Sequence, residues 1–441
     1  MALAPDVSSS SDPHPVESGG THIDAPDLRL FVFGLFFIFG GITSLNDVII
    51  PKLKELFTLS FFEASLVQVW FFVAYAIVGI PGARLVKRIG YMRGAVAGLV
   101  TMIAGCFLFI PASQTAVFGL FLVAYFVLAS GVVLVQVVAN PLISLLGPAK
   151  TAHSRLTFAQ AFNSLGTTIF PYFGAILILG GLAKVSADQL SGLELDAYRT
   201  AESQAIVHGY LGIAAALAVV AAAVWLFRNR LKGEQHEASS LVDGLALLKR
   251  RRFGLGALCI FLYVGAEVAI GSFLVNYLAQ PHVLNLSDAA AGKLLAFYWG
   301  GALVGRFIGS GLLRIINPGL LLALVACGAL ALIGVSVSNT GTLSGYALIA
   351  VGLMNSIMFP TIFSLACEKL GARAADGSGI INVAIAGGAV IPACYGALAD
   401  HIGLGAALAL PALCYTMIAA YGVYARRPAE EPASAALAAA A

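Results

Sequence analysis

The chain has 441 residues, 59% of them hydrophobic and 11% charged, with a mean hydropathy of +0.92. A soluble globular chain carries roughly 45–50% apolar and about 25% charged residues, so too few charges are present here to cover a water-facing surface. A secreted disulfide scaffold, a disordered regulator and a nucleic-acid binder are excluded, and a formal net charge of +3 implies no polyanionic partner. The composition is that of an all-α integral membrane protein whose first partner is the lipid bilayer.

Residues 1–27 hold Asp6, Asp12, Glu17, Asp24 and Asp27 among Ser, Pro and Gly, with neither a basic start nor a short apolar core. They read as a disordered tail without a cleavable signal peptide. A spanning helix needs about 20 apolar residues to cross a hydrocarbon core about 30 Å thick. That ruler predicts spans near 28–50, 62–83, 91–111, 115–145, 156–180, 205–227, 253–279, 289–313, 318–337, 341–366, 377–399 and 404–425. Twelve spans put both termini on one side, and the alanine-rich stretch 426–441 reads as a second tail. The 48 glycines anticipate close helix packing.

The basic residues select the side. Nineteen of the 25 lie in alternate loops: Arg84, Lys87, Arg88 and Arg93; Lys150 and Arg155; Arg228, Arg230, Lys232 and Lys249–Arg252; Arg306 and Arg314; Lys369 and Arg373; Arg426 and Arg427. Lys52, Lys54, Lys184, Arg199 and Lys293 fall on the other side. By the positive-inside rule the termini are cytoplasmic. The polar segment 228–252 is then a cytoplasmic linker between an N-terminal bundle, 28–227, and a C-terminal bundle, 253–425.

The two halves echo each other. Gly41, Asn46 and Pro51 recur 230 positions later as Gly271, Asn276 and Pro281. Trp70 corresponds to Trp299, Arg88 to Arg314 and Pro171 to Pro392, with a slowly drifting offset. Such a series indicates duplication of a six-helix unit, the pattern of transporters that rock two halves about a site near the bilayer midplane.

Charges inside spans are expensive and face cavities, so they guide the search for function. Asp47 lies on the first span within a turn of Pro51, and Glu267 lies more than two turns into the seventh. Each has two readings. A carboxyl group in a poorly solvated cavity can bind and release a proton as the cavity alternates between two aqueous sides, whereas Asp47 as an interfacial acid, or Glu267 as an acid bonded to a neighbouring helix, would serve structure. Neither span carries a basic partner. Uncharged amides form the second set: Asn46, Gln136, Asn140, Gln160, Asn163, Asn276, Asn355 and Asn382. Gln136 and Asn140, four apart, share a helix face, as do Gln160 and Asn163, three apart. An amide donates and accepts in one plane, which matches a sugar hydroxyl; the alternative is that amides hold helices together. Trp70, Tyr75, Tyr263, Trp299 and Phe359 are candidates to pack on a sugar ring.

An anionic substrate would call for a fixed intramembrane cation, and the spans show none. No phosphate-binding Gly-x-x-x-x-Gly-Lys-Ser/Thr loop occurs, and the seven histidines are scattered, so neither ATP, a metal nor another cofactor is expected. The six cysteines sit in or beside apolar runs without a Cys-x-x-Cys pair and read as buried hydrophobes.

Four stretches carry a resemblance: LNDVIIPKLKELFTLS at 45–60, VLASGVVLVQVVANPLISLLGP at 127–148, SRLTFAQAFNSLGTTIFPYFGAIL at 154–177 and FPTIFSLA at 359–366. Over residues 28–425 the chain resembles the fucose–proton symporter family of the major facilitator superfamily. The resemblance implies two pseudo-symmetric six-helix bundles that import a neutral sugar with a proton by alternating access, as a monomer in the bacterial inner membrane. It places the membrane acid at Asp47 and sugar-contacting amides at Asn46, Gln160 and Asn163. Gln136 stands where fucose symporters carry a glutamate, Glu267 where they carry a glutamine and Phe359 where they carry a tyrosine. These exchanges resemble the glucose/galactose branch and leave glucose, galactose, mannose, fructose and N-acetylglucosamine open. Uncoupled or outward transport, and sodium in place of the proton, remain as alternatives. The superfamily's loop signature at 83–90 has Lys87 where an acid is usual, so Asp376, near the start of span 11, becomes the partner for Lys87 or Arg88. With Arg306 and Arg314 these residues form the expected cytoplasmic gate.

Overall fold

The computed structural model describes residues 26–57, 61–115, 117–174, 191–228, 245–286 and 288–427. Both expected tails, apart from a few flanking positions, and the middle of the 228–252 linker lie outside the described residues. So do the side chains of Asn46 and Asp47. Among the described residues the chain is helical without strands.

The first nine expected spans each form one helix: α1 Pro26–Leu56, α2 Phe61–Ile89, α3 Tyr91–Thr115, α4 Phe118–Leu145, α5 Ala152–Gly174, α6 Leu193–Leu226, α7 Arg251–Ala279, α8 Asp288–Leu312 and α9 Pro318–Ser338. The last three are each divided: α10 Gly341–Asn355 with α11 Met358–Ala366, α12 Ala374–Ala384 with α13 Gly387–Ile402, and α14 Leu404–Ala407 with α15 Ala409–Ala425. Local chemistry accounts for two of the breaks. Pro360 and Pro411 lack the N–H that would bond the carbonyls four residues earlier, Ser356 and Ala407. At Ile385–Ala386 the chain tightens into i→i+3 bonds before Gly387 and Gly388. By contrast α9 starts cleanly: Pro318 occupies its first position and the Asn317 side chain accepts from Gly319 N at 3.0 Å and Leu320 N at 3.2 Å.

Among the described residues nine helical stretches are long and apolar enough to cross a membrane. The described apolar stretch of α1 is Leu28–Ser44, and α5 and α8 carry Gln160, Asn163 and Arg306 among their apolar residues. Polarity is inverted relative to a soluble protein. Leu30, Val219 and Ile315 are at least 71% exposed, while Gln136, Asn140, Gln160, Asn355 and Asn382 are buried. Cys106, Cys259 and Cys414 are buried as expected, but Cys327 and Cys394 are exposed on the apolar outer surface; a thiol is tolerated there because lipid is as apolar as a protein core.

Helices α1–α6 pack as one bundle, with α3 on α4 and α6, α1 on α5 and α2 on α4; α7–α15 form the other, with α9 on α10 and α15, and α7 on α13 and α15. The bundles meet where α2 packs on α12 and α5 on α8, with further contact of α4 on α12 and α5 on α11. Within the first bundle α1 and α5 approach so closely that a Cβ on Gly166 would stand 2.1 Å from the Phe37 carbonyl oxygen. That neighbour is backbone and cannot swing away. Gly166→Val should therefore lower stability by about 1–3 kcal/mol, the range for overpacking, read as a fall in the melting temperature in detergent; an unchanged melting temperature would contradict this packing.

Candidate functional site

Polar residues of both bundles lie on helices that meet across the boundary, α4 and α5 on one side and α8, α11 and α12 on the other. On α4, Gln136 and Asn140 are one turn apart and buried; Gln136 Nε2 donates to Tyr75 Oη on α2 at 2.9 Å. On α5, Gln160 is buried and Asn163 half-buried, its Nδ2 at 3.5 Å from the Phe36 carbonyl of α1. Glu267 of α7 is half-buried and faces Tyr263, one turn earlier on the same helix. Buried side-chain oxygens without a hydrogen-bond partner occur on both sides of the boundary: Asn140 Oδ1 and Thr157 Oγ1 in the first bundle, Thr361 Oγ1 and Asn382 Oδ1 in the second. Buried acceptors of this kind are costly, and they mark the boundary as polar.

The break between α10 and α11 organises the second bundle's side of the site. With Pro360 unable to donate, the Ser356 carbonyl accepts from Arg306 Nε at 3.3 Å, and the Asn355 carbonyl accepts from Tyr263 Oη at 3.0 Å. Tyr298 Oη donates to the Glu267 carbonyl at 3.0 Å. A phenol has one proton, so the same oxygen accepts from Asn355 Nδ2 at 2.9 Å, which orients the amide and leaves Oδ1 to accept from Tyr415 Oη at 2.8 Å.

These bonds correct several expectations. Arg306 was expected in a loop, yet it sits within α8, inside the expected span 289–313, and reaches across to the other bundle. Its Nη1 donates to the Gln160 carbonyl at 3.0 Å and to Ser164 Oγ. An intramembrane cation is therefore present, and its charge interacts with Glu267, so Glu267 does have a basic neighbour on an adjoining helix. The run Leu303–Ile308 around Arg306 is otherwise apolar, and that was the available signal. Asn355 is fully buried with both amide functions spent on tyrosines, which is the role of a helix-holding amide. Asn382 is likewise buried, its Nδ2 turned back to the Ser378 carbonyl at 2.8 Å. Asn276 is exposed near the end of α7, and Trp70 and Trp299 are 39% and 43% exposed. The Trp299 ring stands edge-on to Tyr298, and Phe359 stacks on Phe363. Tyr75 and Tyr263 are the aromatic candidates buried beside polar partners. Tyr298, Tyr415, Ser164 and Ser356 belong to the site without having been anticipated, because a lone hydroxyl in an apolar run carries no periodic signal.

At the Lys- and Arg-rich end, Lys87 Nζ of α2 donates to Asp376 Oδ2 of α12 at 2.7 Å, with both side chains buried, and Arg373 Nε lies 4.0 Å from the same oxygen. One turn or more inward, Gly79 and Gly379 touch backbone to backbone: a Cβ on either would lie 2.7 Å from the other's carbonyl oxygen. Across the bundle Arg314 Nε donates to Ser154 Oγ at 3.2 Å, and that hydroxyl donates to the Ser310 carbonyl at 2.7 Å. Arg88 is exposed.

The fold and site define a multi-pass membrane protein of two six-helix bundles with a polar boundary between them. The sequence profile of the Major Facilitator Superfamily matches residues 32–393, and the chain belongs to that superfamily. It is 48% identical over 389 residues to a glucose/galactose transporter of Brucella abortus, covering 88% of this chain and 92% of the relative. It is 33% identical over 399 residues to the L-fucose-proton symporter of Escherichia coli, covering 87% and 90%. A crystal structure of the major facilitator transporter FucP in the outward conformation superposes with a TM-score of 0.82 at 31% identity, covering 91% of this chain and 99% of that one.

Removing one charge of a buried ion pair typically costs about 3–5 kcal/mol. Lys87→Met should therefore loosen the contact between α2 and α12, measured as a lower yield of a cysteine crosslink between those helices. The exchanged pair Lys87→Asp with Asp376→Lys should recover it only in part, because a lysine there meets Arg373 and the positive start of α12.

Proposed function

We propose that the chain imports a neutral sugar of the glucose, galactose, mannose or N-acetylglucosamine class together with a proton, by alternating access across a bacterial inner membrane. What supports the reading is an amide at Gln136 together with an acid at Glu267, the exchange expected of the glucose/galactose branch, in a chain 48% identical to a glucose/galactose transporter. The excess of lysine and arginine at one end supports a cytoplasmic position for both termini. The bonds through Lys87, Asp376, Arg314 and Ser154 then close the cytoplasmic side, and the likeness to FucP in its outward conformation supports the same assignment.

In this reading Gln160 and Asn163, with Asn46 and Gln136, offer donors and acceptors to sugar hydroxyls. Arg306 is committed to carbonyls and a hydroxyl, which suits an uncharged cargo. An ionised carboxylate resists closure of the cavity around it because its desolvation is costly. Sugar and proton bound together remove that resistance, and a change of state requires such a difference in affinity between the two states.

Two experiments test the proposal. Loss of one hydrogen bond to a buried polar partner costs about 1–3 kcal/mol, so Gln160→Ala and Asn163→Ala should weaken sugar binding in detergent roughly five- to hundred-fold; wild-type affinity in both would remove the amides from the site. Asp47→Asn imitates a protonated acid and should keep counterflow while losing accumulation driven by a pH gradient. Glu267→Gln should show the same split if it shares the proton. Accumulation that persists in both variants, in the same vesicles, would exclude these acids as the proton carriers.

A further inference from the structure

Glu267 is joined to the contact between the bundles by a continuous set of polar contacts, and each step has a direction. The carboxyl group faces the Tyr263 hydroxyl one turn away. Tyr263 Oη donates to the Asn355 carbonyl at 3.0 Å. The next carbonyl along the chain, Ser356, is held by Arg306 Nε at 3.3 Å, and the same guanidinium grips Gln160 O and Ser164 Oγ of the other bundle. Both carbonyls are available because the helix is interrupted before Pro360.

We propose that the Tyr263 hydroxyl is a one-proton relay that reports the protonation of Glu267 to the Asn355–Ser356 break, and through it to the Arg306 clasp between the bundles. The inference rests on the reading of Glu267 as a proton-linked acid. A phenol donates one hydrogen bond. When Glu267 is protonated, its O–H donates to Tyr263 Oη and Tyr263 keeps the bond to Asn355 O that the structure shows. When Glu267 releases its proton to water, the carboxylate can only accept. The Tyr263 O–H then turns to it, and Asn355 O loses its donor. Only the carboxyl O–H bond is broken, and its proton leaves to solvent. A buried carbonyl without a donor is unfavourable, so the break and the Ser356 carbonyl beside it lose support and the Arg306 clasp weakens. Protonated Glu267 thus goes with a closed Lys- and Arg-rich end and ionised Glu267 with an open one.

The other groups facing Glu267 do not duplicate this role. Tyr298 of α8 spends its proton on the Glu267 main-chain carbonyl and Tyr415 of α15 spends its own on Asn355 Oδ1. Arg306 of α8 supplies charge from the clasp itself. Helix α13 meets α7 through Gly387, Gly388 and Ile391 and α11 through Ala366, all uncharged, while α12 approaches at Gly377. Tyr263 is a positioning residue, and its signature is a pH response.

The test is the distance between spin labels at Arg93→Cys and Ile315→Cys, exposed positions at that end of the two bundles, in full-length protein with the native cysteines replaced, read from pH 5 to 9 alongside proton-driven uptake. The unsubstituted relay should open that end as pH rises. Tyr263→Phe should lower the closed-to-open ratio about five- to hundred-fold, the equivalent of one lost buried hydrogen bond, and make it independent of pH. Glu267→Gln, whose amide donates to Tyr263 as a protonated acid does, should hold the closed-to-open ratio at the unsubstituted protein's low-pH value at every pH, and the double variant should behave as Tyr263→Phe. Arg306→Lys, which cannot span both bundles with one ammonium, should open the end at every pH and supplies the test if Tyr263→Phe fails to fold. A wild-type pH response in Tyr263→Phe, or additive effects in the double variant, would overturn the relay while leaving proton coupling intact. A distance and an uptake that ignore pH in the unsubstituted protein would overturn the proton reading and the relay with it.

Discussion

In a bilayer core no water is available to complete a hydrogen bond, so every interruption of a helix must find donors within the protein. The break before Pro360 shows what that constraint builds. Its two released carbonyls draw in the Tyr263 hydroxyl and the Arg306 guanidinium, and each of those groups is itself placed by another helix. A cation that would be costly in hydrocarbon is stabilised by carbonyls and a hydroxyl drawn from both bundles. The site is therefore assembled around a backbone defect, and the amide of Asn355 and the hydroxyls of Tyr298 and Tyr415 complete its hydrogen bonding.

The contact at the other limit of the boundary follows different physics. Lys87 and Asp376 are buried together, and the cost of desolvating two charges nearly offsets their attraction, so such a pair contributes little net stability while either charge alone would be very unfavourable. Backbone contact at Gly79 and Gly379 adds dispersion without directional bonds. A contact with this balance can separate and re-form if both partners are re-solvated together, which a carrier that alternates between two states requires. The pair also reverses the charges that the superfamily signature leads one to expect, with the lysine on α2 and the acid at the start of α12, where the helix dipole favours a negative charge.

Polar side chains along the boundary divide by whether they are already satisfied. Asn355 is saturated by two tyrosines and holds its helix in place, whereas Asn382 turns its Nδ2 back on its own helix and keeps a buried Oδ1 without a partner. Gln160 and Asn163, on the helix of the first bundle that meets α8, retain capacity for a ligand. That division could not be read from residue type, since an asparagine in an apolar run looks the same in either role.

Composition and periodicity alone determined the membrane class, the approximate positions of twelve spans and the two-fold repeat, because burying about 20 residues in hydrocarbon constrains every position of a span. The pairing of helix faces at Gln136–Asn140 and Gln160–Asn163 was legible for the same reason, since 3.6 residues per turn is a property of the local chain. Only the tertiary structure decided which of those amides are spent, that Arg306 lies within a helix and clasps the opposite bundle, and that Tyr263, Tyr298 and Tyr415 surround Asn355. Those facts depend on contacts between residues about 60 to 150 positions apart, which leave no period or spacing in the sequence.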